Sequence, residues 1–271
     1  MTRLNWKPAL YVLFGAYLIV MLMPFVWLVS SALKTTLEMF THPFALPAAP
    51  QWGNFAQAWQ TGVAHYLLNS VWVTFISVVM IVLVSGLAAY ALARQRFPGR
   101  AAIYILLITG YAVPIHTVLV PLYEMLRSAN ALNAYAGLIG PYVAFGIPFS
   151  VLLLYAFFLD FPAELEEAAR IDGCNEVQLL AYVVAPLSLP GLSSVAIFQG
   201  VFVWNEFLLA LIIINDDARK TLPLGLVNLQ GQYSTNWPVL LAAVTIATVP
   251  VLLLYLVMQR QFVSSLAGIG K

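Results

Sequence analysis

Residues Leu68–Ala93 read LNSVWVTFISVVMIVLVSGLAAYALA, without a charged side chain from end to end. The segment that follows, Arg94–Arg100, reads RQRFPGR. A helix needs roughly 20 mostly apolar residues to cross the hydrocarbon of a bilayer. The run is long enough, lacks the alternation of a barrel strand, and stops at arginines that are costly to place in lipid. It reads as a transmembrane helix anchored at its C-terminal end.

Working outward, five further runs have the same character. They are about Ala9–Leu33, with Pro24, Ser30 and Ser31 late in it, about Ala101–Tyr123, about Ala136–Leu159, about Leu189–Ile214 and about Val239–Met258. Composition agrees. Of 271 residues, 62% are hydrophobic and 8% charged, and the mean hydropathy is +0.90. Soluble domains carry about 25% charged residues, and with so few charges a compact soluble domain could not cover its surface. The expected fold is all-α: a polytopic membrane protein with six transmembrane helices in a single transmembrane domain, residues 1–271. A net charge of +1 offers no field for nucleic acid. Cys174 has no internal disulfide partner, and no Cys/His metal spacing appears. The start, MTRLNWKPAL, shows no cleavage site ahead of the first run, which reads as a retained anchor.

Lys and Arg near the span ends set the orientation. With a cytoplasmic N-terminus, Arg3, Lys7, Arg94, Arg96, Arg100, Arg170, Arg260 and Lys271 lie inside. Lys34, Arg127, Arg219 and Lys220 lie outside, so the split is eight to four and both termini are expected in the cytoplasm. The longest inside loop is then Asp160–Ser188. It holds Asp160, Glu164, Glu166, Glu167, Asp172 and Glu176, six of the chain's 11 acids.

That loop carries its own helix signals. Pro162 suits a first helical position, Glu164, Glu166 and Glu167 suit the positive end of the dipole, and Gly173 suits a left-handed cap. Asn175 reads as the N-cap of a second helix, in which Val177, Leu180, Ala181 and Val184 form one apolar stripe, ending at Pro186. Ala168 and Ala169 keep one face of the first helix small. The unit is read either as a solvated connector or as a docking knob for a cytoplasmic partner.

Here a resemblance enters. Glu167-Ala168-Ala169, three residues, Gly173, nine residues, Val183 and then Pro186 resemble the EAA motif of the membrane subunits of ATP-binding-cassette (ABC) importers. Ala185 stands where that pattern has leucine. Asn69-Ser70, Pro121-Leu122-Tyr123, Trp204-Asn205-Glu206-Phe207 and the tail from Gln259-Arg260 to Gly268-Ile269-Gly270-Lys271 are similar to the smaller permease of maltose-type sugar importers. The resemblance implies the type I ABC importer permease fold, with a cytoplasmic coupling helix between the fourth and fifth spans. It implies a second permease, two ATPase subunits holding ATP and Mg, an extracytoplasmic solute-binding protein, a sugar substrate, and the cytoplasmic (inner) membrane of a bacterium or archaeon. Glu167, Ala168, Ala169, Arg170, Asp172, Gly173 and Pro186 become the expected ATPase-coupling residues. Gln230, Gly231, Gln232, Tyr233 and Trp237, in the last outside loop, become the expected contacts to the binding protein. Leu222–Leu229, earlier in that loop, reads as a short helix.

Polar residues inside the spans are candidates for a translocation path: Thr74 and Ser77, His116, Gln199, Asn205 and Glu206. Small polar residues also glue membrane helices together, so the serines and threonines have a purely structural reading. His116, just after Pro114, reads more simply as a packing residue. Glu206 is compatible with three roles: lining a polar cavity, tying two helices, or relaying protons. No phosphate-binding G-x-x-x-x-G-K-[ST] loop occurs, so the chain is not expected to be an enzyme or to hold a cofactor or metal itself. The alternatives are a secondary, ion-coupled transporter, which would want coupling residues beyond Glu206 and two related halves, and a membrane-bound enzyme, which would want a catalytic constellation.

Overall fold

The computed structural model describes residues 7–230 and 235–268, and every regular element among them is helical. The first five helices are α1 (Lys7–Ala32), α2 (Thr36–Thr41), α3 (Gly53–Ala58), α4 (Ala64–Arg94) and α5 (Arg100–Ala112). Then come α6 (Leu119–Ser128), α7 (Tyr135–Leu159), α8 (Ala163–Ile171), α9 (Glu176–Leu179) and α10 (Ala185–Leu187). The last four are α11 (Leu189–Asn205), α12 (Leu208–Ile213), α13 (Leu222–Val227) and α14 (Trp237–Gly268).

Four helical stretches are long and apolar enough to cross a membrane alone: Leu10–Ala32, Gly53–Arg94, Tyr135–Leu159 and Trp237–Leu256. Two bent pairs, Arg100–Ala112 with Ile115–Ser128 and Glu176–Leu187 with Leu189–Asn205, raise the number to six if each pair is one span. The expected straight third span, 101–123, is therefore corrected. Val113 is extended (φ −77°, ψ 117°) ahead of Pro114, and the chain turns by 92° there. Proline pushes its predecessor out of the helical region and has no N–H to continue the ladder. The expected straight fifth span, 189–214, is corrected too. Helix α11 stops at Asn205, Glu206 is extended (φ −69°, ψ 129°), and the helix restarts as α12. The second span is preceded by helix from Gly53, joined through a π-turn at Trp59–Val63 where Gly62 takes φ 113°. Helix α14 continues beyond Met258 to Gly268.

The chain forms two compact units. One comprises 1–64 with 225–250. In it, α1 leaves most of its apolar surface uncovered, Tyr11, Phe14 and Ile19 among it. Its C-terminal end is tied to the loop that follows. The buried Lys34 Nζ donates to the carbonyls of His42 (3.0 Å) and Pro43 (2.9 Å). Trp27 Nε1 donates to Pro43 O (3.0 Å), and Asn54 Nδ2 donates to Ala32 O (2.8 Å) and Lys34 O (3.0 Å). A buried ammonium needs such acceptors, and carbonyls of an ordered loop supply them.

The other unit comprises 65–224 with 251–271. Helices α5 and α11 pack on α7 around a core that includes Ile81, Leu138, Val151, Leu154, Val195 and Leu209. Gly146 of α7 allows a close approach to α4: a Cβ there would lie 2.6 Å from Ile81 Cδ1. Small residues at such crossings let membrane helices pack tightly.

Candidate functional site: the loop between α7 and α11 and the polar groups of the spans

Helix α8 begins at Ala163 with Pro162 as its extended N-cap (φ −61°, ψ 121°), so the proline sits one place before the expected first helical position. Its end is closed by backbone geometry. Gly173 takes φ +89°, its N–H donates to Arg170 O (3.1 Å), and the Cys174 N–H donates to Ala169 O (3.0 Å). This is the paired 5→2 and 6→1 bonding of a Schellman cap, which a residue with a Cβ enters at a cost. Asn175 caps α9 as expected. Its side chain accepts the Gln178 N–H (2.9 Å), and Gln178 Oε1 accepts the Asn175 N–H (3.0 Å). The loop is thus a helix, a left-handed glycine turn and a second helix.

Two expectations about its faces are corrected. Ala168 is exposed, but Ala169 points inward and is buried. The second helix does not bury Val177, Leu180, Ala181 and Val184 as one stripe. Val177 is 74% exposed and Ala181 is exposed, while Leu179 and Val184 are buried. A π-turn at Leu180–Val184 explains this: it adds a residue to one turn, so positions five apart share a face. The helix also runs through Pro186, ending at Leu187 instead of stopping at the proline. The outward surface includes Glu164, Glu167, Ala168, Asp172, Val177 and Tyr182, with Ile171 at 86% exposure.

Sequence reasoning passed over Glu166, grouping it with the other acids of the first turn. Its side chain is 6% exposed and lies 2.8 Å from Arg94 Nε, and Tyr90 donates its hydroxyl to Oε2 (3.1 Å). Arg170, one turn later, stands 3.7 Å from Oε2 and 3.0 Å from Glu176 Oε1. The available signal was spacing: Glu166 and Ala169, three apart, form the inward face of a helix whose other acids face out.

The candidate path residues are dispersed. Ser77 is buried and Thr74 half-buried on α4. His116 is exposed in the short 3₁₀ turn after Pro114. Asn205 is exposed, its amide donating to Val201 O (2.8 Å) on its own helix. Gln199 is buried, and its amide donates to Gly146 O (3.1 Å) and Ser150 Oγ (3.0 Å) of α7. It lies at the edge of a cavity of about 260 Å3 lined by Tyr111, Phe145, Phe149, Phe198 and Phe202. Glu206 sits in the α11–α12 break. Its carboxylate accepts the Tyr142 hydroxyl (2.7 Å) and the N–H groups of Leu209 (2.9 Å) and Ala210 (3.3 Å).

The α12–α13 connection is clasped to the start of α4. Asn69 Nδ2 donates to the carbonyls of Ala218 (2.9 Å) and Lys220 (2.9 Å), Ser70 Oγ accepts the Leu222 N–H (2.7 Å), and the Tyr135 hydroxyl donates to Asn69 Oδ1 (2.8 Å). The expected short helix is α13, with Leu222 and Leu224 buried. Of the expected binding-protein contacts, Gln230 and Trp237 are exposed. Gly231, Gln232 and Tyr233 lie outside the described residues.

The solved structure of a bacterial ABC transporter that imports the acidic polysaccharide alginate contains a chain with the same fold. The TM-score is 0.78 at 21% identity, over 94% of this chain and 95% of that one. The chain is 39% identical to the sulfoquinovosyl glycerol transport system permease protein SmoH of Agrobacterium fabrum, over 97% of this chain and 93% of that protein. It is 38% identical to the probable ABC transporter permease protein YurM of Bacillus subtilis, over 98% and 90%. It is 36% identical to the diacetylchitobiose uptake system permease protein NgcG of Streptomyces coelicolor, over 92% and 83%. The family whose sequence model matches residues 81–267 is described as binding-protein-dependent transport system inner membrane component. The helical spans, the capped loop and these relatives together make the chain a member of that family, with the fold of an ABC importer permease.

Proposed function

We propose that the chain is one of two permease subunits of an ATP-driven, binding-protein-dependent importer for a sugar or sugar derivative. It forms half of a translocation path across the inner membrane, with both termini in the cytoplasm. Two separate ATPase subunits hold ATP and Mg, and an external solute-binding protein delivers the substrate. The observation that carries the reading is α8, a capped helix that presents Glu164, Glu167, Ala168 and Ile171 outward from a loop closed by Gly173. A rigid projecting helix transmits a displacement that a slack connector would absorb. The sugar class rests on relatives named for sulfoquinovosyl glycerol and diacetylchitobiose.

The test is co-purification of the cognate ATPase from cells expressing the permease with Glu167→Lys or Gly173→Val. Both variants are expected to insert normally, since no span is touched, and to recover at least several-fold less ATPase. Wild-type recovery in both would remove the docking role. For the substrate class, the cognate binding protein is titrated with sulfoquinovosyl glycerol, diacetylchitobiose and alginate oligosaccharides. Saturable binding of a sugar is expected, and binding of an amino acid or inorganic ion in its place would overturn the sugar reading.

A further inference from the structure

Arg94 is the last residue of α4, and Glu166 is the buried acid of α8. Their side chains are 18% and 6% exposed, and Nε lies 2.8 Å from Oε1. A second guanidinium nitrogen of Arg94 donates to the carbonyl of Phe161, and the guanidinium stands over the Phe161 ring, 5.8 Å from its centroid. Phe161 leads directly into α8. Tyr90, one turn earlier on α4, donates to the other oxygen of Glu166 at 3.1 Å. The Tyr90 ring meets Phe158 of α7 edge to face, with centroids 5.6 Å apart. On the loop side, Arg170 is shared between Glu166 (3.7 Å) and Glu176 (3.0 Å), which carries the network on to α9.

We propose that Arg94 and Glu166 form a latch that transmits displacement of the loop helix α8 to the membrane span α4. The proposal rests on α8 being the ATPase-docking element and names the residues that connect it to the spans. A buried ion pair contributes little net stability, because desolvation offsets attraction, but it fixes geometry, since each charge is costly to leave without the other. Along the backbone, α8 is joined to its neighbours only through Asp160–Pro162 and the Gly173 turn. The Arg94 fork grips both the entry to α8 and its inward face, while the docking face of Glu164, Glu167 and Ile171 points away. Glu166 and Arg94 are therefore positioning residues that act through α8 and touch neither nucleotide nor solute.

The test uses the purified complex of permeases and ATPase with a reporter on α4. Leu68, 67% exposed near the start of α4, is replaced as Leu68→Cys in a Cys174→Ser background. Its rate of maleimide labelling is compared without nucleotide and with ATP plus vanadate. In the otherwise wild-type complex the rate should change at least threefold. Arg94→Glu and Glu166→Arg should each retain bound ATPase but abolish that change, and the double reversal should restore at least half of it. Tyr90→Phe and Glu166→Gln, milder variants that keep the ring and the side-chain length, should each reduce the change and serve if a reversal misfolds. A nucleotide response that survives the single reversals, or that the double reversal fails to restore, overturns the latch. So does an unchanging rate in the otherwise wild-type complex. Failure of the ATPase to co-purify with the unmodified permease overturns the docking reading beneath it.

Discussion

At Glu206 two carboxylate oxygens serve three donors: the Tyr142 hydroxyl and the N–H groups of Leu209 and Ala210. Two of these donors are backbone groups at the start of α12, where a helix has unsatisfied N–H groups that low-dielectric surroundings make expensive. The carboxylate therefore caps the restarted helix and ties it to α7. Glu206→Gln offers one acceptor oxygen and turns an NH2 toward the other donors, so at least one is left unmet, at about 1–3 kcal/mol. Glu206→Leu leaves all three. Thermal unfolding of the detergent-solubilised complex should rank wild type above Gln and Gln above Leu. A Gln variant as stable as wild type, yet inactive, would move the role of this residue from capping to ion handling. An isolated acid in an apolar run is conspicuous in the sequence, which marks Glu206 as important. Of the three roles compatible with the sequence, the helix tie is one, but the choice among them was not legible, because the donors come from Tyr142, far away in sequence, and from a helix break that no glycine or proline announces.

Elements were legible where their chemistry is local. The Gly173 turn and the Asn175 cap follow from neighbouring residues, and both stand where the residue pattern places them. The π-turn at Leu180–Val184 left no such trace, and it rotates the buried face onto Leu179 and Val184. Likewise the run from 101 to 123 reads as one helix through Pro114, where the chain instead turns by 92°. The glycine turn gives a graded prediction. No atom lies within 4 Å of a Cβ built at Gly173, so substitution there meets no clash, only the left-handed backbone. That backbone costs a β-branched residue about 1–2 kcal/mol or more, while asparagine enters it comparatively easily. Gly173→Asn should therefore retain most ATPase co-purification, and Gly173→Val should lose most of it. Equal loss in both would mean that the partner surface requires the missing side chain, not the turn.

For the whole molecule, the membrane was legible from charge scarcity, and six apolar runs from where the charges fall; four helical stretches are long enough alone, and six if each bent pair is one span. What the runs could not reveal is that the third and fifth are broken, since hydropathy does not register backbone direction. Orientation is a separate inference and rests on Lys and Arg counts. Three of the four cations assigned to the outside have a carboxylate three residues earlier: Arg127 with Glu124 (3.7 Å), Arg219 with Asp216 (3.5 Å) and Lys220 with Asp217 (3.2 Å). The fourth, Lys34, is buried against carbonyls. Acids weigh little in the insertion rule, so the count of eight to four stands as it is. In this assignment the short segment between α4 and α5 carries the most weight, because Arg94, Arg96 and Arg100 crowd into it and no long loop is available to be translocated regardless of charge. Gln95 and Asp216 are both exposed and lie on opposite sides in this assignment. In a Cys174→Ser background, Asp216→Cys should react with a membrane-impermeant maleimide in intact cells. Gln95→Cys should react only after permeabilisation. If Gln95→Cys labels in intact cells and Asp216→Cys does not, the molecule is inverted, α8 faces outward, and no cytoplasmic ATPase can reach it.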